Sequence, residues 1–384
     1  MRILILNWKD LAHPLAGGAE VLTEEVARAL VVRDHSVTLF TSAVRGRPAR
    51  EMVQGVEVVR RGGRLGVYRA ARRFWNEQPE FSFDIVVDEI NTRPFLTPRW
   101  LHGTPVVALI HQLAREIWFY ETRFPLSALG RYVLEPRWLR RYRNVPAMTV
   151  SRSSADSLVR HHGWQNVTVI PEGSTPHPVP GVPKEAHPTV IFLARLVAMK
   201  QPEHALRAFE HLAQALPDAQ LWIIGDGPLL RRLRERAPAR VTFSGRLAAD
   251  ELRQHLARAH VLVSTSVREG WGLNVSEAAA CGTPTIGYSV AGLVNSIPAS
   301  GGALVEPNPN ALGRALIDFF AGRLPLEPRL STVPWPEVAA RVESRLTEVA
   351  ARAARRSLFG ATSPIGSGPG RATFRDRGRG HTGA

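Results

Sequence analysis

Cysteine is nearly absent from this sequence, which has Cys281 alone among its 384 residues. This excludes an intramolecular disulfide framework and a zinc site made of several cysteines, and it fits a reducing, cytoplasmic compartment. No apolar run approaches the ~18 residues that a membrane-spanning helix needs, so an integral membrane protein is not expected. The opening MRILILNW predicts a buried strand and no signal peptide, because polar and charged residues follow at once.

Lysine is also scarce: Lys9, Lys184 and Lys200 are the only three, and all other basic residues counted among the 49 are arginines. A lysine at a chemically meaningful position is therefore informative, because an ammonium and a guanidinium bind anions differently. The net charge of +15 is concentrated in residues 45–73, in residues 123–143 and beyond residue 350. The basicity therefore marks particular segments and is not uniform.

The length and the apolar pattern predict two α/β domains. A chain of 384 residues exceeds what one hydrophobic core usually supports, and its 44% hydrophobic and 22% charged residues are ordinary for globular proteins. Short apolar stretches alternate with segments long enough for helices, which is typical of parallel sheets covered on both faces. The predicted strands are residues 2–6, 36–42, 56–60, 84–90, 106–111, 147–151, 166–170, 189–195, 220–225, 241–245, 260–265, 283–288 and 302–307.

A proline-rich segment at 174–188 divides the two halves, because it cannot continue a helix or a central strand. The prediction is a first domain at 1–173, a linker at 174–188, a second domain at 189–334, a helix at 335–356 and a disordered Gly/Arg-rich tail at 357–384. Two Rossmann-like halves joined in this way form a cleft. The carboxyl ends of both sheets would face that cleft, where such folds bind ligands.

Two features beside the cleft predict binding of a phosphorylated ligand. Gly17 and Gly18 lie between the first strand and the first helix, where glycine lets the backbone approach a ligand and a helix start attracts anions. A plain strand-to-helix turn is the alternative. Arg195 and Lys200 follow the first strand of the second half, and two cations there suit a diphosphate, with a solvated charge pair as the alternative.

Two carboxylates follow the predicted strand at 260–265. Glu269 lies in a glycine-rich loop and Glu277 lies one to two turns into the next helix, so both reach one ligand of about 10 Å length. Carboxylates accept hydrogen bonds from vicinal hydroxyls, which predicts contacts with a sugar and a ribose. A helix-capping acid and a solvated glutamate are the alternative. His111 ends a strand that faces the same cleft, as either a structural or a catalytic residue.

These motifs together resemble those of the retaining GT-B glycosyltransferases of family four. The matching stretches, in order, are GGAE at 17–20, ARLVAMK at 194–200, IGDGP at 224–228, FSGRL at 243–247 and EGWGLNVSEAAACGTPTIGY at 269–288. The resemblance implies a GT-B fold and transfer of a hexose from a UDP- or GDP-linked sugar to a hydroxyl acceptor. It also implies retention of the anomeric configuration, with no required metal and no cofactor.

The resemblance implies that the donor is bound by Gly17, Gly18, Arg195, Lys200, Arg246, Leu247, Glu269, Gly270, Trp271, Gly272, Leu273, Asn274 and Glu277. Within this set Arg195 and Lys200 would hold the diphosphate, Glu269 the sugar hydroxyls and Glu277 the ribose. His111 would lie beside the sugar at the reacting centre. The implied catalytic residues are Glu269, His111, Arg195 and Lys200.

The chain departs from the family pattern at Pro171–Thr175, before the linker, and at Asn295, where an acid is common. The first departure concerns acceptor-side or interdomain contacts. Neither departure touches the positions implied to hold the diphosphate or the sugar, so the resemblance still implies an active enzyme.

The basic segments 45–73 and 123–143 lie in the first half, and aromatic residues interleave with arginines in the second of them. This mixture suits an anionic membrane surface, which predicts peripheral docking at the inner face of a membrane towards a lipid-linked or cell-envelope acceptor. Arginine-rich faces of a soluble enzyme are the alternative. The charge also suggests nucleic-acid binding, but no recognition module is found, so no nucleic acid is expected as a partner. A nucleotide-sugar epimerase and a catalytically silent partner protein are the remaining alternatives.

Overall fold

The computed structural model describes residues 1–173, 179, 181–330 and 333–360, and it describes side chains up to residue 355. Within these ranges two α/β units, each built on a sheet, face one another. Six of the fifteen residues of the predicted linker at 174–188 lie outside the described residues, namely 174–178 and 180. The predicted tail lies outside them from residue 361 onward.

The first sheet has eight strands in the order β3-β4-β2-β1-β5-β6-β7-β8. Their bounds are Arg2–Leu6, Ser36–Thr41, Arg50–Val53, Val56–Arg60, Ile85–Glu89, Val106–Ile110, Ala147–Thr149 and Val167–Val169 for β1 to β8. All pairings are parallel except that of β3 with β4, which are joined by a tight turn. The apolar pattern did not predict β3, because its residues are exposed or half-buried and form no apolar run.

The second sheet has six parallel strands in the order β11-β10-β9-β12-β13-β14. Their bounds are Thr189–Leu193, Gln220–Ile224, Val241–Gly245, Val261–Ser264, Thr285–Tyr288 and Ala303–Val305 for β9 to β14. Each lies within two residues of a predicted strand. The central strands are buried along their length, as both faces of the sheet are covered by helices.

Helices cover both sheets. Their bounds are Gly18–Val32, Val67–Glu77, Ile117–Glu121, Leu126–Leu129, Glu135–Arg140, Arg152–His162, Pro202–Ala215, Leu230–Arg236, Ala249–Arg258, Leu273–Ala280, Leu293–Ala299, Pro309–Phe320 and Trp335–Gly360 for α1 to α13. Short 3-10 turns occur at Thr97–Arg99 and Ala198–Lys200, and a π-turn occurs at Gly130–Leu134. The loops between strand ends and helix starts on the facing sides of the two domains carry the predicted site.

The last helix, α13, returns to the first domain although it follows the second in sequence. It contacts α1, and its apolar side chains join the core of the first sheet; these are Trp335, Val338, Val342, Leu346 and Val349. Glu343 adds ion pairs with Arg33 and His35 at the end of α1. Within the described residues this helix continues through Gly360, beyond the predicted end at residue 356, so the first residues of the predicted tail are helical.

Candidate active site

The carboxyl ends of the two sheets meet at the cleft, and contacts between the domains line it. Arg268 of the second domain pairs with Glu116 of the first at 3.2 Å. The backbone N–H of Ser153 donates to Asn295 Oδ1 at 3.0 Å, and the Gly292 N–H donates to Ser153 Oγ at 2.8 Å. Asn295, which replaces the more usual acid, is therefore an acceptor in an interdomain hydrogen bond.

Lys200 and Glu269 are in direct contact within this cleft. The Lys200 ammonium pairs with Glu269 Oε1, and Ser266 Oγ donates to the same oxygen at 2.6 Å. The lysine follows β9 and the glutamate follows β12, and these strands are neighbours in the sheet. The pair is mostly buried, so its electrostatic interaction is screened less than that of a surface pair.

Glu277 lies on α10, two turns after Glu269, and it is exposed. The protein around the carboxyl group still limits its contact with water, which raises the pKa of Glu277. The negative charge of Glu172, from the first domain, raises this pKa further. Glu277 and Glu172 thus belong to different domains and are close enough for their charges to interact.

Arg195 follows β9 and lies near Lys9 of the first domain. Its positive charge contributes to lowering the pKa of Lys9, whose main cause is burial. Lys9 pairs with Glu20 at 3.1 Å and donates to the carbonyl of Leu15 at 3.0 Å. The two domains thus bring cations to the same part of the cleft, which suits a ligand with more than one negative charge.

The turn at Gly17 and Gly18 is ordered by its own helix. The Gly17 N–H donates to Glu20 Oε2 at 2.7 Å, so this N–H is already hydrogen-bonded within the turn. Gly18 lies against Leu273 of the second domain, where a Cβ would come within 3.0 Å of the leucine side chain. The turn therefore packs against the start of α10, at the predicted donor site.

His111 comes directly after β6, one residue beyond the observed strand end, and it is buried between two carboxylates. Nε2 lies 3.2 Å from Glu89 Oε1, and Nδ1 lies 3.4 Å from Glu172 Oε1. Burial alone would lower the pKa of His111, but Glu172 and Glu89 outweigh it and raise the pKa to about 10. The two carboxylates therefore favour the imidazolium form of His111 at neutral pH over the neutral form that a general base needs.

The loop from Gly270 to Asn274 connects the two domains closely. A Cβ at Gly270 would lie 2.8 Å from the carbonyl oxygen of His111, so only glycine fits this approach. Trp271 packs against the core of the first domain, and Gly272 precedes α10. The Asn274 side chain donates to the carbonyl of Leu193 at 2.9 Å, so its amide holds the loop on β9.

Arg246 and Leu247, which the resemblance implies as donor-binding residues, follow β11. Arg246 is exposed, and its guanidinium donates to the carbonyl of Pro14 in the first domain at 3.3 Å. Leu247 is half-buried and packs against an apolar cluster of the second domain. Arg246 is therefore hydrogen-bonded to the loop that precedes Gly17, and Leu247 contributes mainly to packing within the second domain.

A buried polar network in the first domain was not predicted from the sequence. It consists of Asn7, Lys9, Glu20, Thr23, Glu89, Asn91, His111 and Glu172, joined by hydrogen bonds or ion pairs. Two signals were available. Lys9 is one of three lysines in the chain, and Glu20 stands three residues after Gly17, as in a capping box. Nothing in the sequence indicated that Glu89 and Glu172 contact His111, because that contact depends on the order of strands in the sheet.

The described ranges contain neither a membrane-spanning helix nor a cluster of metal ligands. No described helix is both long enough and apolar enough to cross a bilayer. No group of three or more histidine, cysteine, aspartate or glutamate side chains is arranged there to hold a metal ion.

Two family models cover most of the chain. Residues 16–176 match the model described as Glycosyltransferase Family 4, and residues 177–331 match the model described as Glycosyl transferases group 1. The boundary between the two matches falls inside the proline-rich segment.

Among characterised proteins, the chain is 23% identical to a subunit of the phosphatidylinositol N-acetylglucosaminyltransferase of Homo sapiens, over 90% of this chain and 76% of that protein. It is 33% identical to a GDP-mannose-dependent alpha-(1-6)-phosphatidylinositol dimannoside mannosyltransferase of Mycobacterium tuberculosis, over 34% of this chain and 36% of the relative. Matches to this and similar bacterial relatives span about a third of their length.

Solved structures share the whole architecture. Sucrose-phosphate synthase of Thermosynechococcus elongatus superposes with a TM-score of 0.71 at 21% identity, covering 94% of this chain and 100% of that one. WaaG, a glycosyltransferase involved in lipopolysaccharide biosynthesis, superposes with a TM-score of 0.65 at 18% identity, covering 92% and 98%. The predicted fold class is confirmed, and the chain belongs to the group 1 glycosyltransferases, enzymes that transfer a sugar on a GT-B fold.

Proposed function

We propose that this enzyme transfers a hexose from a UDP- or GDP-linked sugar to a hydroxyl acceptor with retention of anomeric configuration and without a required metal. The contact that carries this proposal is that of Lys200 with Glu269, held by Ser266 beside the start of α10. It puts a cation suited to a phosphate next to an acid suited to sugar hydroxyls. The Anabaena protein HepE, of similar fold, has been solved with UDP and glucose.

The mechanism needs no strong base from the protein. An oxygen of the donor phosphate accepts the proton of the incoming hydroxyl, on the face from which the diphosphate departs. Arg195, Lys200 and the start of α10 stabilise the charge on the leaving diphosphate. His111 is held as an imidazolium by Glu89 and Glu172, so it adds positive charge beside the sugar and takes no proton.

A thermal-shift panel tests the donor side. UDP, GDP, UDP-glucose, UDP-N-acetylglucosamine and GDP-mannose are each added to the wild type, to Lys200→Ala and to Arg232→Ala. One nucleotide family should raise the melting temperature of the wild type, since a ligand at 100 times its Kd stabilises by about 2.7 kcal/mol. The shift should be lost in Lys200→Ala and kept in Arg232→Ala, whose arginine pairs with Glu203 on the surface.

Product analysis then separates the alternatives. With the best donor and no acceptor, release of free sugar supports a transferase, whereas an epimerised nucleotide sugar indicates an epimerase. The anomeric configuration of the released or transferred sugar is read by NMR. Activity should survive EDTA; loss of activity that a divalent metal restores would contradict a metal-free mechanism. The absence of any nucleotide-dependent shift contradicts the donor proposal as a whole.

We further propose that the first domain docks on an anionic membrane to reach its acceptor. Residues 117–143 carry large exposed apolar side chains, namely Phe119, Tyr120, Phe124, Leu126, Leu129 and Tyr132. Exposed arginines flank them, among them Arg123, Arg137 and Arg140. Exposed aromatics with cations suit the headgroup region of a bilayer, where each cation contributes about 1 kcal/mol.

Co-sedimentation with vesicles tests this docking. The wild type should bind anionic vesicles more than neutral ones, and Phe124→Ser should reduce that binding. Phe81→Ser is the matched control, because Phe81 is 76% exposed against 83% for Phe124 but precedes β5, at the amino ends of the parallel strands. Equal binding to both kinds of vesicle, or an equal loss in the two variants, would show that residues 117–143 are not the docking surface.

A further inference from the structure

A second group of cations and aromatic rings lies in the first domain, beside the loop that carries Gly17. Trp8 follows β1, and its ring lies 4.9 Å from Lys9 Nζ and 6.0 Å from the Arg64 guanidinium. Tyr68, in the first turn of α2, has the Arg93 guanidinium 4.1 Å from its ring centre. Trp8 and Tyr68 pack against the same apolar cluster, so the two cation–aromatic pairs belong to one surface.

The charges of Arg64 and Arg93 are not neutralised. Within the described residues neither guanidinium has an acidic partner at ion-pair distance. Nearby arginines differ: Arg60 is buried against Asp10 and Glu51, and Arg61 pairs with Glu77. Arg64 and Arg93 thus lie beside aromatic rings without an acidic partner, whereas the nearby Arg60 and Arg61 form ion pairs.

The backbone that carries Arg93 is strained. Thr92 has φ of 81°, and a β-branched residue in this region costs about 1–3 kcal/mol. The loop is held in place by Asp88, which accepts hydrogen bonds from the N–H groups of Phe95 and Thr97 and from the Thr97 hydroxyl. Strain that persists under such support is typical of binding sites, and here it presents Arg93 over Tyr68.

The group also adjoins the donor cleft. Trp8 contacts His13, in the loop whose Pro14 carbonyl accepts a hydrogen bond from Arg246 of the second domain. Lys9, beside Trp8, is close enough to Arg195 for their charges to interact. A ligand bound at Arg64 and Arg93 would therefore lie on the first-domain side of the donor. This is where a second substrate must be if its hydroxyl is to meet the sugar.

We propose that Trp8, Arg64, Tyr68 and Arg93 form the acceptor subsite and that the acceptor is a phosphorylated polyol. The two guanidiniums would pair with its phosphate, and the aromatic rings would contact the apolar face of its hydroxyl-bearing ring. This rests on the proposed function, since it names the second substrate of the same cleft. The phosphate ester can belong to a free polyol phosphate or to a lipid headgroup, and the test separates these sources.

Calorimetric titration tests the subsite with myo-inositol 1-phosphate, with unphosphorylated myo-inositol and with vesicles containing phosphatidylinositol. The wild type should bind the phosphorylated probe and not myo-inositol. Arg64→Ala and Arg93→Ala should each weaken binding about tenfold or more, because a charge-assisted hydrogen bond is lost. Arg72→Ala is the matched control, since Arg72 is an exposed arginine of the helix that carries Tyr68 and this variant should bind as the wild type does.

The outcomes are distinct. Arginine-dependent binding of the free ester alone assigns a soluble acceptor, and arginine-dependent binding to vesicles assigns a lipid headgroup. Equal binding by all variants, equal loss in Arg72→Ala, or no preference for the phosphorylated probe overturns the subsite. The nucleotide-induced melting shift is measured on the same variants and should be unchanged. If that shift is missing in the wild type while the polyol phosphate still binds through Arg64 and Arg93, the donor proposal fails and the subsite stands.

Discussion

At the scale of single residues, the site depends on charges that are buried with their partners. Lys200 and Glu269 compensate each other, and Ser266 fixes the shared oxygen. Removing one member of a partly buried pair leaves the other charge without compensation, which costs more than the pair itself contributes. The same contact therefore affects stability and, through the proposed donor binding, activity.

Lys200→Ala and Glu269→Gln should each lower kcat/KM by about 100-fold or more, the effect typical of removing one stabilising group at a transition state. Steady-state transfer with the best donor measures this. Arg232→Ala, which removes an exposed cation of the second domain, should remain within about twofold of the wild type. Near-normal turnover in both site variants would show that this pair takes no part in transfer.

The imidazolium of His111 makes a pH-dependent contribution to stability. Its folded pKa of about 10 lies above the ordinary value of 6.5, so the contribution is complete below pH 6.5 and is lost as pH rises through the folded value. Glu172→Gln removes one of the two carboxylates and should lower that pKa. As pH rises, the free energy of unfolding of Glu172→Gln should therefore stop decreasing at a lower pH than that of the wild type.

Urea denaturation at pH 7, 8, 9 and 10 measures this difference. Glu121→Gln is the control, because Glu121 is an exposed acid in α3. It should show the pH dependence of the wild type, so that the difference seen in Glu172→Gln reports the contact with His111. An identical slope in Glu172→Gln and the wild type would mean that Glu172 does not hold the imidazolium.

At the scale of elements, α13 completes the first domain from the far end of the chain. Its apolar face packs on α1 and on the core beneath the first sheet, where Leu346 is fully buried. An apolar cavity lies at this contact, lined in part by Leu22, Val26, Val342 and Leu346. A side chain truncated here enlarges an existing space, so the surrounding residues cannot easily close around it.

Leu346→Ala should lower the free energy of unfolding by about 2–5 kcal/mol, the range for truncating a buried leucine. Its neighbour Thr347 is exposed, and Thr347→Ala should change stability by no more than about 0.5 kcal/mol. Chemical denaturation followed by fluorescence compares the two variants. A loss below about 1 kcal/mol in Leu346→Ala would mean that α13 is not part of the cooperative core.

At the scale of the whole molecule, polar contacts join the two domains across the cleft. Arg268 with Glu116, and Ser153 with Asn295 and Gly292, are contacts of this kind. Polar interfaces between domains allow them to open and close, and each ligand bound between them favours the closed form. These contacts therefore bear on donor affinity, although they do not involve the reacting groups.

Arg268→Ala combined with Asn295→Ala should favour the open form. A loss of about 1.4 kcal/mol in closure free energy changes the closed-to-open ratio about tenfold. Small-angle scattering should then give a larger radius of gyration, and the KM for the donor should rise severalfold. Arg240→Ala, which breaks an ion pair within the second domain, should leave both quantities unchanged. An unchanged radius in the double variant contradicts this role.

Local pattern was enough to predict the strands, the α/β class and the loop that carries Glu269. Buried parallel strands are continuous apolar runs, and their ends can be read without knowing their neighbours. The edge strand β3 was not predicted, because its residues are exposed or half-buried and form no apolar run. The packing of α13 on the first domain was not predicted either. The apolar face of an amphipathic helix indicates that the helix packs against something, but it does not indicate which part of the chain that is.

By itself, the sequence determined which residue types stand at the carboxyl ends of the strands: the glycines after β1, the cations after β9 and the acids after β12. Tertiary structure alone decided which of them touch. The order of strands brought Glu89 and Glu172 to His111, where they favour its protonated form, and it paired Lys200 with Glu269. Electrostatic energy depends on distance through space, and separation along the chain does not specify that distance.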